Sequence, residues 1–226
     1  MALILHIETS AKRCSVAISH GKDLVSSEGI TTDGYVHAEM LHVLIGNVLS
    51  HANISIRKLN AVGVSKGPGS YTGLRIGVSA AKGLCYALEI PLIAVDTTAV
   101  IADHAAQLAP HATQILAMID ARRMEVYCGI FNQHGIRMHP DQAMIVDQNF
   151  MDTYDHENTV FCGDGADKAN QIGVQKSSLH TFIPSAEMMV SGVWEKFITG
   201  TIENTASFEP HYLKDYLPGI TKKTLV

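Results

Sequence analysis

Apolar positions along the chain recur with two periods, and the switches between them mark out strands and helices. Residues 3–9 form an apolar run suited to a buried strand, and residues 13–19 alternate around Cys14, Val16 and Ile18. Gly21 turns the chain into a third strand over 23–27. Helical spacing then holds over about 35–51, with Asp33 as the predicted N-cap. A short strand at 61–65 leads into Gly67-Pro68-Gly69-Ser70 and a second helix over 72–88. Residues 92–95 read as another buried strand. Thr97 or Thr98 is placed to cap a helix that runs to Ala109, where Pro110 closes the first half.

The second half opens as the first does. An apolar strand at 115–119 ends in Asp120, as the first strand ends in Glu8; 125–131 is the return strand, and Gly135 turns the chain as Gly21 does. Acidic residue to glycine spans 13 positions in one half and 15 in the other, so the match is of pattern and not of identity. One order of strand, acidic turn, strand and glycine turn in both halves predicts a duplicated unit. Phe161-Cys-Gly-Asp-Gly165 repeats the strand-then-glycine theme, Ser185 is placed to cap a last helix to about Thr199, and Glu209-Pro210 opens an irregular tail. The predicted architecture is two related α/β lobes, 1–100 and 101–226, with mixed sheets, helices on the outside, a cleft between them and a crossover near 96–110.

Composition narrows the function classes. Hydrophobic residues make up 46% and charged residues 17%, a globular balance, and no apolar run approaches the roughly 20 residues that span a bilayer. The opening Met1-Ala-Leu-Ile-Leu reads as a first strand and not as a signal peptide. Cys14, Cys85, Cys128 and Cys162 lack metal-ligand spacing, which predicts reduced thiols in a cytosolic protein. The net charge is −5, and the 17 basic residues are scattered apart from Lys222-Lys223. That argues against strong nucleic-acid binding by this chain alone; a partner would have to supply a basic surface.

Candidate chemistry falls at the two glycine loops and the two acidic turns. Gly67-Pro-Gly-Ser-Tyr-Thr-Gly73 lies between a strand and a helix N-terminus, where free backbone N–H groups gather around an anion. It lacks the Gly-Lys-Ser/Thr end of a P-loop and misses G-x-G-x-x-G by one residue, so a tight turn into a packed helix remains the competing reading. Glu8 and Asp120, at equivalent strand ends facing the cleft, are placed to hold a metal ion or orient water, or else to bond local backbone. His37 and His42 stand five apart, as do His134 and His139, and no H-E-x-x-H occurs, which argues against a zinc hydrolase.

The helix over 35–51 is apolar around well over half its girth, through Ala38, Met40, Leu41, Val43, Leu44, Ile45, Val48 and Leu49. One sheet does not fill so wide a stripe. Gly73, Gly77 and Ala81 let another backbone approach the second helix. Either the two helices pack on each other and on their sheet, or they meet a related pair from a second subunit.

Along essentially its whole length the chain resembles the TsaB (YeaZ) family. The resemblance is carried by Leu5-His-Ile-Glu-Thr-Ser with Cys14-Ser-Val-Ala, Gly67-Pro-Gly-Ser-Tyr-Thr-Gly-Leu-Arg75-Ile-Gly, Asp120-Ala-Arg-Arg-Met-Glu-Val-Tyr127, Gly163-Asp-Gly and Glu209-Pro-His-Tyr-Leu213, in that order. It implies the actin/Hsp70/sugar-kinase (ribonuclease H-like) fold class and a cytoplasmic role in forming N6-threonylcarbamoyladenosine at position 37 of tRNAs that read ANN codons. It further implies a non-catalytic subunit that binds and activates a TsaD-like catalytic subunit, alongside a TsaE-like ATPase, and touches tRNA only indirectly. The implied contact surface, shared with a homodimer, is His37, Met40, Leu41, Leu44, Ile45, Val48, Gly73, Ile76, Gly77 and Ala80. A vestigial nucleotide site would comprise Glu8, Ser10, Gly67, Gly69, Ser70, Asp120, Gly163 and Gly165, with no metal, no required cofactor and at most weak ATP or ADP binding. Glu8 departs from the family's usual aspartate, and its extra methylene enters the space a phosphate–metal pair would need. The rival functions are a small-molecule kinase or ATPase using Glu8, Asp120 and the Gly67–Gly69 loop, and a metal-dependent peptidase.

Overall fold

The computed structural model describes residues 2–32, 36–154, 157–174 and 178–214. Asp33, Tyr35 and Lys222-Lys223, invoked above, lie outside them. The first strands follow the apolar runs: β1 (Leu3–Glu8), β2 (Arg13–His20) and β3 (Asp23–Thr31) form an antiparallel meander. Helix α1 (His37–His51) returns the chain to β4 (Ala61–Gly67), which pairs parallel to β1. Helix α2 (Tyr71–Leu88), capped by the Ser70 hydroxyl accepting from Gly73 N at 3.2 Å, then leads to the parallel edge strand β5 (Leu92–Asp96). The sheet runs β3-β2-β1-β4-β5.

The same unit recurs. After α3 (Thr97–Leu108) come β6 (Gln114–Asp120), β7 (Glu125–Asn132), β8 (Arg137–Ile145), α4 (Gln148–Asp152), β9 (Thr159–Cys162), α5 (Ala166–Gln171) and β10 (Leu179–His180). This sheet is ordered β10-β9-β6-β7-β8, with β6–β7 and β7–β8 antiparallel and β6–β9 and β9–β10 parallel. Read from the far end, it repeats the first sheet strand for strand. The duplication predicted from the acidic and glycine turns is present.

Alternation along β1 explains the layering. Leu5 and Ile7 enter the core under α1 and α2, with Val16, Leu44, Val62 and Val78. Ile4 enters a different core, with Ile93, Val100, Met189 and Val193. Not all helices lie outside, as had been expected. Helix α3 contacts strands of both sheets, because Val100 faces the first while Ile101, Ala102 and Ala105 face the second. Nor does the chain stay in its second lobe after β10. A 3-10 turn (Ala186–Met189) and α6 (Val190–Ile198) return to the first sheet. Lys196 Nζ donates to Ala94 O at 2.6 Å and Glu203 N to Leu92 O at 2.9 Å, which covers the β5 edge. A boundary at residue 100 therefore assigns to one lobe a segment that packs on the other.

The four cysteines are buried free thiols. Among the described residues no helix is long and apolar enough to cross a membrane.

Candidate functional site

Between the lobes lies a cleft of ≈ 620 Å³ bounded by the ends of β1 and β6 and the start of α2. Of the eight residues predicted for a nucleotide site, it brings together Ser10, Gly69, Ser70 and Asp120. Glu8, Gly67, Gly163 and Gly165 are not part of its wall. Glu8 ends β1 with its side chain fully buried, and its Oε1 accepts from Ser10 N at 2.6 Å. Burial pushes its carboxyl above the usual carboxylate range. The cleft-facing carboxylate expected there is instead an internal group closing its own turn. Gly67, at φ +112°, is packed under the tail, where a Cβ would stand 2.5 Å from His211 O. Gly163 and Gly165 are buried against the Met118–Ile119 backbone.

Asp120 does face the cleft, but not alone. Its Oδ1 accepts from Arg122 N at 2.6 Å and from Lys168 Nζ at 2.8 Å, and the ammonium also donates to Glu125 O at 2.6 Å. Arg122 and Arg123 both adopt positive φ (69° and 49°), which makes this turn a costly one for non-glycine residues. Asp120 N in turn donates to Asp164 Oδ1 at 3.2 Å.

Loss of hydration raises the Asp164 carboxyl from 3.8 to about 6, outweighing the bond from Asp120 N. An acid raised on folding binds protons more tightly when native, so its contribution to stability falls as pH climbs from 3.8 to 6, and the penalty is complete above that window. Asp164→Asn keeps an acceptor for Asp120 N and removes the charge. It should be more stable than the parent by about 1–3 kcal/mol at pH 8 and equal to it near pH 3.5. Urea titration at both pH values checks this; an equal gain at both would point to packing instead of charge.

The tail forms the remaining wall through His211, Tyr212, Leu213 and Lys214. His211 N donates to Lys66 O at 2.7 Å, Tyr212 lies 4.7 Å from the Tyr71 ring, and Arg75 Nε donates to the Tyr212 hydroxyl at 3.2 Å. Lys214 pairs with Glu125 across the cleft. Asp96, Asp141 and His211 bring ligand atoms within 4.8 Å of one another. Those carboxylates are already engaged, Asp96 with Lys66 (3.4 Å) and Arg137 (3.8 Å), Asp141 with Arg137 and the Thr98 hydroxyl. The cluster is an ionic tie between lobes.

The helix pair takes the first of its two predicted arrangements, packing on itself and on its own sheet, and this covers most of the implied contact surface. His37, Leu41, Leu44, Ile45 and Val48 are buried by the chain's own sheet and α2, and His37 Nε2 bonds Ala11 O at 2.9 Å. Gly73 and Gly77 face Thr9. These seven residues cannot form a bare contact face, because their surfaces are already covered. The wide apolar stripe of α1 is filled by β2, β3 and α2. What remains open is Val43, 49% exposed, half-buried Met40, Ile76 and Ala80, and Tyr86, 85% exposed. No neighbour lies within 4 Å of a Cβ built at Gly46 or Gly83.

Two copies of a mixed five-stranded unit in one strand order, facing each other across a cleft, define the actin/Hsp70/sugar-kinase class. A family model described as TsaD, tRNA N6-adenosine threonylcarbamoyltransferase, matches residues 34–191. The tRNA threonylcarbamoyladenosine biosynthesis protein TsaB of Escherichia coli K12 is 29% identical over 222 residues, 94% of each chain. The Bacillus subtilis 168 protein of the same description is 33% identical over 149 residues, covering 66% of this chain and 62% of its own. YeaZ from Pseudomonas aeruginosa superposes with a TM-score of 0.81 at 26% identity, covering 94% of this chain and all of that one. The chain belongs to the TsaB (YeaZ) family.

Proposed function

We propose that the chain is a non-catalytic subunit of the cytoplasmic machinery that forms N6-threonylcarbamoyladenosine at position 37 of tRNAs reading ANN codons. It binds and activates a TsaD-like catalytic subunit, works beside a TsaE-like ATPase, and reaches tRNA through that partner. The observation that carries this reading is the engagement of both acidic turns inside the chain, Glu8 by Ser10 N and Asp120 by Lys168. A carboxylate already bonded by backbone or ammonium is poorly placed to orient water or bridge a phosphate. The open residues of α1 and α2, Met40, Val43, Ile76 and Ala80, give the reading its contact surface, which a second copy of the chain would share. The family relationship supports the same pathway.

The test is reconstituted threonylcarbamoyl transfer with the TsaD-like and TsaE-like subunits. Omitting this chain should abolish product, while Asp120→Asn should leave the rate within about threefold, since a contact outside the chemistry costs little. A drop of three orders of magnitude in Asp120→Asn would restore the kinase or ATPase reading.

A further inference from the structure

The fold class implies a nucleotide held with a divalent cation between the two acidic turns, so the donor set at each turn decides whether such an ion fits. Magnesium takes near-octahedral oxygen ligands at 2.0–2.1 Å and binds through one or two free carboxylates. At the first turn, the Glu8 carboxylate is fully buried, outside the cleft wall, with Oε1 bonded to Ser10 N. At the second, Asp120 Oδ1 already holds two donors, Arg122 N and Lys168 Nζ. Lys168 is only 7% exposed and is pinned from the other side by Glu125 O at 2.6 Å. Swinging the ammonium away would break two bonds and leave a buried charge unpaired. A divalent ion approaching the other oxygen of Asp120 would still meet a fixed positive charge on the same carboxylate, and the two repel each other and compete for its charge. The residues present do not fit the metal.

We infer that Lys168 is a built-in counter-ion that occupies the electrostatic place of a divalent cation at Asp120, so that the cleft of this chain excludes such ions. The role is local to α5, because the ammonium reaches both the end of β6 and the start of β7 from the third position of that helix. It stands apart from the partner contact, since it concerns the isolated chain, and loss of partner binding would leave it untouched.

Manganese(II) alone is the probe, titrated into the isolated full chain and followed by the electron paramagnetic resonance of the free aquo ion. The parent and Asp120→Asn should bind manganese identically. Lys168→Met keeps the aliphatic stem and removes the charge. It should gain one site at least about tenfold tighter than any in the parent, lost again in the Lys168→Met/Asp120→Asn double variant. A parent site that Asp120→Asn removes would overturn the inference, as would a folded Lys168→Met chain that binds no more manganese than the parent. If circular dichroism shows Lys168→Met to be unfolded, the comparison of parent with Asp120→Asn decides: equal binding upholds the counter-ion, and a loss in the variant refutes it.

Discussion

Val43→Glu should abolish co-purification with the TsaD-like subunit while leaving the chain folded, whereas the same kind of change one residue later should destroy the fold. Val43 is 49% exposed on α1, so a carboxylate there stays hydrated in the free chain and costs about 0.5 kcal/mol or less. Buried against an apolar partner it loses that hydration without a counter-charge, at several kcal/mol, which is a loss of about a hundredfold or more in affinity. Leu44 is 2% exposed and packed among Leu5, Val16 and Val62. Leu44→Asp puts an unpaired carboxylate into that core and should cost more than about 4 kcal/mol, enough to unfold a domain of ordinary stability. Pull-down paired with circular dichroism reads both. Retention of the partner at parental yield by Val43→Glu would remove the outer face of α1 from the proposed contact.

The second large effect contrasts two glycines on one helix. A Cβ at Gly73 would overlap the Thr9 carbonyl oxygen, and backbone cannot rotate aside as a side chain can. Gly73→Ala forces the first turn of α2 off the end of β1, with an expected loss of about 3 kcal/mol or more. Gly83, ten residues on, has nothing within 4 Å of a built Cβ. Gly83→Ala should therefore raise stability by about 0.5–1 kcal/mol, because alanine loses less backbone freedom in a helix. Urea midpoints of the two variants should move in opposite directions; a shift of the same sign in both would mean that α2 is not seated on Thr9 as described.

Much of this fold was legible because its signals are local. Apolar runs with acidic and glycine turns gave β1, β2, β6 and β7 to within a residue or two, and the repeat between them gave the duplication. Strand β8 was not foreseen, since Arg137–Ile145 reads RMHPDQAMI; a proline and so many polar residues suit only an edge strand. The two-residue β10 and the six-residue α5 are too short to show a period. In the site, Ser10, Gly69, Ser70 and Asp120 were found from motif position, but Lys168 lies 48 residues from Asp120, a separation no spacing rule connects. Glu8 and the inner residues of α1 were located correctly in sequence and misplaced in space. Strand and helix periods tell which residues share a face, and the tertiary neighbours decide which face is covered.

The return of 186–198 to the first sheet bears on the order in which the molecule is made. Ile4, Ile93 and Val95 emerge from the ribosome early, yet their neighbours Met189 and Val193 arrive only after the whole second sheet has been synthesised. Until then that side of the nascent first sheet is covered only in part, by Val100 of α3, and assembly of this protein is a matter of closing a circle instead of adding beads to a string.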